Sequence, residues 1–283
     1  MHYRPAREAG RLGRIVAIAG RRMRNVRPPI QVLNIFSGET CHGRGMPSAV
    51  TAKQMESSSV PTQPHLPSPG VLGTLAALSL IVLGLTVAVL VHPGPLGPDA
   101  SMLQWFIDHR NGTATVFAKG ISALGDTATM TVLGVVVCAG LAWWRHWETA
   151  FFVGFTALGA GALVFFGKLL IARPRPPLID RMVVETNHSY PSGHALGSTV
   201  VVGVVVAAVL LPLLHGIWRS LVLAVTVLFA AGVGVSRLYL GVHWPTDVLA
   251  GWIFGALWLS LCFHFRPVIA ERAHAVLSKV APD

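Results

Sequence analysis

The chain has 283 residues, of which 53% are hydrophobic and only 12% charged, and its mean hydropathy is +0.60, whereas an average soluble domain carries roughly 25% charged residues. This excludes a water-soluble globule; the apolar content also excludes a disordered chain, and three cysteines are too few for a disulfide scaffold. The net charge of +10 would suit nucleic acid, but residues 1–71 hold ten Lys and Arg against three acids, so the excess sits in a leading arm and the rest of the chain is nearly neutral.

Residues 1–70, rich in Arg, Pro, Ser and Gly, read as a disordered basic cytoplasmic arm, or as an over-long start, because Met46 and Met55 both precede the first long apolar segment. A secretory signal fits less well: Ile15 to Ala19 is shorter than the roughly 7 to 15 apolar residues such a signal needs. Beyond the arm, stretches free of Asp, Glu, Lys and Arg cover 57–98, 127–144, 149–167, 195–218, 220–235 and 248–265. A membrane-spanning helix takes roughly 20 mainly apolar residues, and backbone groups in lipid must be satisfied internally. The fold expected is therefore all-α and polytopic, with six transmembrane helices over 71–266 and a short cytoplasmic tail over 267–283. In the first stretch the span is Val71 to Val91; the weakest, 220–235, can borrow Arg219 as a snorkelling flank. Between the first two spans, residues 93–126 include Leu103, Trp105, Phe106 and Ile107 ahead of Asp108 and Arg110, which reads as an interfacial helix.

Placing both termini in the cytoplasm puts fifteen of the 22 basic residues inside, as the positive-inside rule demands. The expected location is the cytoplasmic membrane. Cys41, Cys138 and Cys262 have no metal-ligand spacing.

In a chain so poor in charge, ionisable residues at span ends are the informative ones, and three segments collect them. The first runs from Lys168 through Arg173-Pro-Arg175-Pro-Pro. The prolines force the chain out of its helix, so Arg173 and Arg175 are expected on an extended loop folding back over Lys168; plain snorkelling flanks would look similar. The second is Tyr190-Pro191-Ser192-Gly193-His194, where Ser192 suits a helix N-cap, the first N–H groups of the span are free to hold an anion, and Gly193 permits close approach. A capped helix with a solvent-facing histidine is the plainer alternative. The third is Ser236-Arg237 through His243 to Asp247. Here His243 and Asp247 stand at i, i+4, so the carboxylate can take one imidazole proton and leave the other nitrogen as a free lone pair; Asp247 could instead serve only the helix dipole. Ala195 to Val235 accommodates two spans, so all three segments face the same, outer compartment. Three cations, a helix N-terminus, two histidines and a carboxylate describe a phosphate site.

Lys168, six residues, Arg175-Pro176; Pro191-Ser192-Gly193-His194; and Ser236-Arg237, five residues, His243, three residues, Asp247 together resemble the three-part signature of the type 2 phosphatidic acid phosphatase (PAP2) superfamily. The resemblance covers about residues 70–265 and implies a metal-independent phosphatase with no cofactor. His243 would be the nucleophile that forms a phosphohistidine, Asp247 its orienting acid, and His194 the general acid and base. Lys168, Arg175, Arg237, Ser192 and the Gly193 N–H would bind the phosphate. The substrate implied is a membrane lipid phosphate or diphosphate (phosphatidate, phosphatidylglycerol phosphate or a polyprenyl diphosphate), with no nucleic acid partner. A non-enzymatic lipid-phosphate transporter or scaffold, a sugar-phosphate phosphatase and a vanadate-dependent haloperoxidase are the alternatives.

Overall fold

A computed structural model describes residues 68–280, with the side chains of the last seven left aside; almost all of the expected basic arm lies outside the described residues. Those residues form nine α-helices: α1 Pro69–Val91, α2 Asp99–Asp108, α3 Gly112–Leu124, α4 Thr127–Trp143, α5 Trp147–Ile171, α6 Gly193–Val205, α7 Ile217–Tyr239, α8 Pro245–His264 and α9 Arg266–Val280. A π turn over Val206–Leu210 and a 3-10 turn over Leu211–Leu213 extend α6. No strand occurs among the described residues.

Local chemistry sets the boundaries. Pro69 and Pro245 open α1 and α8 from positions whose N–H groups have no helical partner. Asn111 caps α3 by accepting from Ala114 N at 2.9 Å, and Asp126 caps α4 by accepting from Ala128 N at 3.1 Å. The Asn111 cap splits the expected single interfacial helix into α2 and α3, and the Asp126 cap starts α4, which α3 meets at 43°. Five helices are long and apolar enough to cross a membrane, and six if that bent pair counts as one span. The stretch that looked weakest becomes the 23-residue α7, which takes both Arg219 and Arg237 into the helix.

The long helices are apolar on every side, as lipid contact requires. Leu80, Leu83, Leu158, Leu170, Val227 and Leu228 are among many exposed large hydrophobics that would be untenable in water. α6 is the most buried span and α1 the least. Around α6 pack α5, α8, α7 and α4, while α1 lies on α8 and α3 on α7. Phe152 and Val153 of α5, Val204 of α6 and Cys262 of α8 share one core cluster, with Leu141 of α4. Where α8 crosses the start of α6, Gly251 makes the approach possible: a Cβ there would meet Ser192 O at 2.8 Å and the Ala195 Cβ at 2.9 Å.

Candidate active site

The three sequence segments converge at the junction of α5, α6, α7 and α8. Helix α5 ends at Ala172, which adopts a left-handed conformation (φ 50°) just ahead of Pro174. The chain from 172 to 192 is then tied down by Ser189 N donating to Arg173 O at 2.9 Å and Ser192 N donating to Asp247 O at 3.0 Å. On the other side, Gly241, at φ +72°, turns the α7–α8 connection so that a Cβ would fall 2.7 Å from Arg110 Nη2. His243 follows two residues later.

Lys168 and Arg175 do come together, through a shared acceptor. Lys168 Nζ donates to Asn187 Oδ1 at 2.9 Å and His188 O at 2.7 Å. Arg175 donates from Nη2 to the same Asn187 Oδ1 at 2.5 Å, from Nε to Asn187 O at 2.7 Å and from Nη1 to Val242 O at 2.6 Å. Burial pushes its guanidinium down to about 10, with Glu185 partly offsetting, so it stays charged at neutral pH. The third cation, Arg237, donates to Ser122 Oγ at 2.7 Å and is paired with Glu185, whose other carboxylate oxygen lies 3.5 Å from Arg175 Nη2. Arg237 Nε is buried without a partner among the described residues.

Ser192 occupies the N-cap position expected of it, but its hydroxyl makes no capping bond. The oxygen is buried and without a hydrogen-bond partner among the described residues, an arrangement that is costly unless something else satisfies it. Gly193 opens α6, and a Cβ there would press on Val164 Cγ1 at 3.1 Å. His194, in the first turn, is buried rather than solvent-facing, with Nε2 3.4 Å from Asp126 Oδ1.

His243 and Asp247 stand close, as their i, i+4 spacing suggests, but not in a direct hydrogen bond. α8 starts at Pro245, so His243 precedes the helix while Asp247 sits in its first turn. His243 Nδ1 is 3.5 Å from Asp247 Oδ2, longer than a hydrogen bond of normal strength. Between them lies Ser189, whose Oγ is 3.3 Å from His243 Nδ1 and donates to Asp247 Oδ2. Trp244 N donates to the same oxygen at 2.9 Å. The imidazole tautomer follows from Arg175, whose Nη1 is 3.2 Å from His243 Nε2. A guanidinium only donates, so Nε2 carries the lone pair and Nδ1 the proton.

Burial, followed by the nearby charges of Arg175, Arg237 and Lys168, pushes the His243 imidazole well below the usual histidine range. It is therefore neutral in the fold, whereas in the unfolded chain it takes up a proton near pH 6.5. With more protons bound in the unfolded state, acidification favours unfolding. Melting temperature in detergent should fall as pH drops from 7 to 5, and His243→Gln should flatten that dependence; an unchanged slope would exclude His243 as its source.

Arg173 lies in the loop after α5 as expected, but its side chain turns away from Lys168. It is completely buried, with Nη1 2.5 Å from Asp247 Oδ1 and 2.7 Å from Thr246 Oγ1, and Nη2 2.9 Å from Asp99 Oδ2 and 2.7 Å from Gly94 O. Asp99 in turn accepts from Thr246 N at 2.9 Å and Thr246 Oγ1 at 2.7 Å. One guanidinium thus joins α2, the α1–α2 connection and the acid behind His243.

A cavity of about 890 Å³ is lined by Lys168, Arg175, Gly193, His194 and His243, together with Glu185, Asn187 and Asp126. Ser192, Arg237 and Asp247 are not in its lining; Arg237 reaches it through Glu185. Arg173, Asp99, Ser189, Glu185 and Asn187 were not assigned by sequence reasoning. Arg173 stood in the first charged segment without a role of its own, and Asp99 carried a signal as an isolated acid at the start of an amphipathic stretch. Ser189, Glu185 and Asn187 sit in a loop with no periodicity to mark them.

The PAP2 superfamily model matches residues 149–270, which contain all three segments. Phosphatidylglycerophosphatase B of Bacillus subtilis is 29% identical over 187 residues, 64% of this chain and 89% of that one. Decaprenylphosphoryl-5-phosphoribose phosphatase of Mycobacterium tuberculosis is 32% identical over 146 residues, 49% of this chain and 73% of that one. A crystal structure of a transmembrane PAP2-type phosphatidylglycerolphosphate phosphatase from Bacillus subtilis superimposes with a TM-score of 0.61 at 27% identity, covering 69% of this chain and 97% of that one. Apolar helices, three charged segments that meet at one junction, and relatives that include a transmembrane PAP2-type phosphatase lead to one conclusion: the chain belongs to the PAP2 superfamily and is an integral membrane phosphatase.

Proposed function

We propose that this enzyme removes a phosphate from the phosphate or diphosphate end of a membrane lipid, through a phosphohistidine on His243, at the extracytoplasmic face. The observation that carries the lipid reading is the continuity of the cavity. From His243 and His194 it extends between α4, α5 and α6 past Met130, Gly134, Gly154, Ala157 and Gly161 as far as Ala150. Along α5, Ala150 to Lys168 corresponds to about 27 Å of helix, close to the roughly 30 Å hydrocarbon thickness. Val135, Leu158 and Phe165 line the cavity and are also exposed on the outside of the bundle, which suits a slot open sideways to lipid. A tail can stay in the bilayer while its headgroup meets the cations. The positive-inside count supports the outward orientation and cytoplasmic termini.

In this reading His243 Nε2 attacks phosphorus in line, forming the N–P bond as the ester or anhydride P–O bond breaks. His194 gives its proton to the leaving oxygen. It then takes a proton from water, which attacks phosphorus, breaks the N–P bond and releases orthophosphate. Lys168, Arg175 and Arg237 hold the equatorial oxygens, replacing the oxygens of Asn187 and Glu185 as partners, and the unpartnered Ser192 hydroxyl and Gly193 N–H complete the cradle. The domain reading follows: residues 71–266 form the catalytic unit, with 1–70 a cytoplasmic arm and 267–283 a short tail.

The test uses the detergent-solubilised enzyme in EDTA, assayed on phosphatidate, phosphatidylglycerol phosphate, a polyprenyl diphosphate and glycerol phosphate. Gly161 lines the slot with open space where a side chain would start, so Gly161→Phe should plug it. Hydrolysis of the long-chain substrates should fall about tenfold in kcat/KM, with glycerol phosphate hydrolysis retained. Equal loss on both classes would reject the tail slot; complete loss in EDTA would reject catalysis by the three cations alone.

A further inference from the structure

We propose that Ser189 is a positioning residue for the nucleophile, accepting the Nδ1–H of His243 and handing the interaction on to Asp247. This rests on the reading of His243 as nucleophile. Three observations on different atoms meet at this hydroxyl. Arg175 Nη1, 3.2 Å from Nε2, obliges the imidazole proton to sit on Nδ1. The atoms within reach of that proton are Ser189 Oγ at 3.3 Å and Asp247 Oδ2 at 3.5 Å, the serine being the nearer. Ser189 has one proton and two lone pairs; its proton goes to Asp247 Oδ2, which leaves a lone pair facing Nδ1.

The position of this serine is set from both sides. Its side chain is fully buried, and its backbone N–H is held by Arg173 O at 2.9 Å. Asp247 Oδ1 is taken by Arg173 Nη1 at 2.5 Å and Oδ2 also accepts Trp244 N at 2.9 Å, so the carboxylate is anchored before it meets the imidazole. When Nε2 bonds to phosphorus the ring becomes an imidazolium, and the Nδ1–H grows more acidic. The hydroxyl then relays the carboxylate's negative charge to the ring without taking the proton, since a chain of hydrogen bonds polarises along its length. No covalent bond is made or broken at Ser189.

The experiment compares Ser189→Ala, Asp247→Asn and the double variant with wild type, in detergent, on phosphatidate carrying radiolabelled phosphorus. Steady-state rates, orthovanadate inhibition and alkali-quenched, base-stable phosphoprotein are measured. Ser189 does not touch the phosphate site, so Ser189→Ala should leave KM and orthovanadate inhibition within about twofold while kcat and the rate of phosphoprotein formation fall on the order of 10²-fold, the effect of slightly misplacing a reacting group. In the Asp247→Asn background the same change should cost less than about threefold, because the two act as one unit. Ser189→Cys, similar in shape with a weak donor, should recover part of the rate. Equal fold-losses in both backgrounds, or a loss confined to KM and orthovanadate inhibition, would overturn the inference. Full phosphoprotein formation in His243→Ala would instead overturn the nucleophile assignment, so the two failures are distinguishable.

Discussion

Replacement of His243 by alanine should lower phosphate release about 10⁴-fold or more and abolish the acid-labile phosphoprotein, with the protein still folded and still retained by orthovanadate at reduced affinity. The magnitude is that of removing the nucleophile from a group of residues acting as a unit. The reason is geometric as well as chemical. The imidazole is buried and held neutral by its surroundings, its lone pair on Nε2 faces Arg175 at 3.2 Å, and the cavity it lines also holds Lys168 and His194. No other described side chain lining this cavity combines an available lone pair with such a ring of cations: His194 is paired with Asp126 at 3.4 Å, on the wall formed by the start of α4. Single-turnover quench with labelled phosphatidate is the direct measurement. Release at the wild-type rate would remove the phosphohistidine route.

Arg173→Met should be the most destabilising single change, about 3–5 kcal/mol, because it strands charged partners in the interior. Asp99 and Asp247 are both fully buried, and both rely on this guanidinium. For a chain of this size the loss corresponds to a melting temperature lower by on the order of ten degrees. Arg173→Lys keeps the charge but cannot span both carboxylates with a planar fork, so it should recover only part of the stability. Adding Asp99→Asn to Arg173→Met should restore some of what was lost, since one stranded charge is then neutralised. Differential scanning in detergent decides it: equal melting of wild type and Arg173→Met would show that the pair contributes nothing.

Much of this site was legible before any coordinates, for an electrostatic reason. In a chain with 12% charged residues, each ionisable group at a span end is costly unless it has work, so Lys168, Arg175, His194, Arg237, His243 and Asp247 stand out from an apolar background. Less legible was how each is held. Arg173 and Arg175 are two residues apart in one proline-rich segment, and nothing local distinguishes them. One faces the cavity and the other is sealed behind Asp247, because Asp99 comes from a helix more than seventy residues away in sequence. The i, i+4 spacing of His243 and Asp247 suggested a direct pair, yet the loop places Ser189 in the gap.

The interfacial segment shows the same division. Amphipathic spacing over 93–126 identified helix, but Asn111 caps α3 and Asp126 caps α4, and the bend between these two helices places Asp126 beside His194.

Sequence alone determined the all-helical spans, the positive-inside orientation expected of them and the residues proposed for the phosphate site, because hydropathy, charge and motif spacing are properties of the chain itself. Tertiary structure decided which of two neighbouring arginines is buried, which hydroxyl stands between histidine and acid, and that a slot beside α5 runs from the cations along the bundle. Those depend on distances between residues remote in sequence, which emerge only when the helices pack.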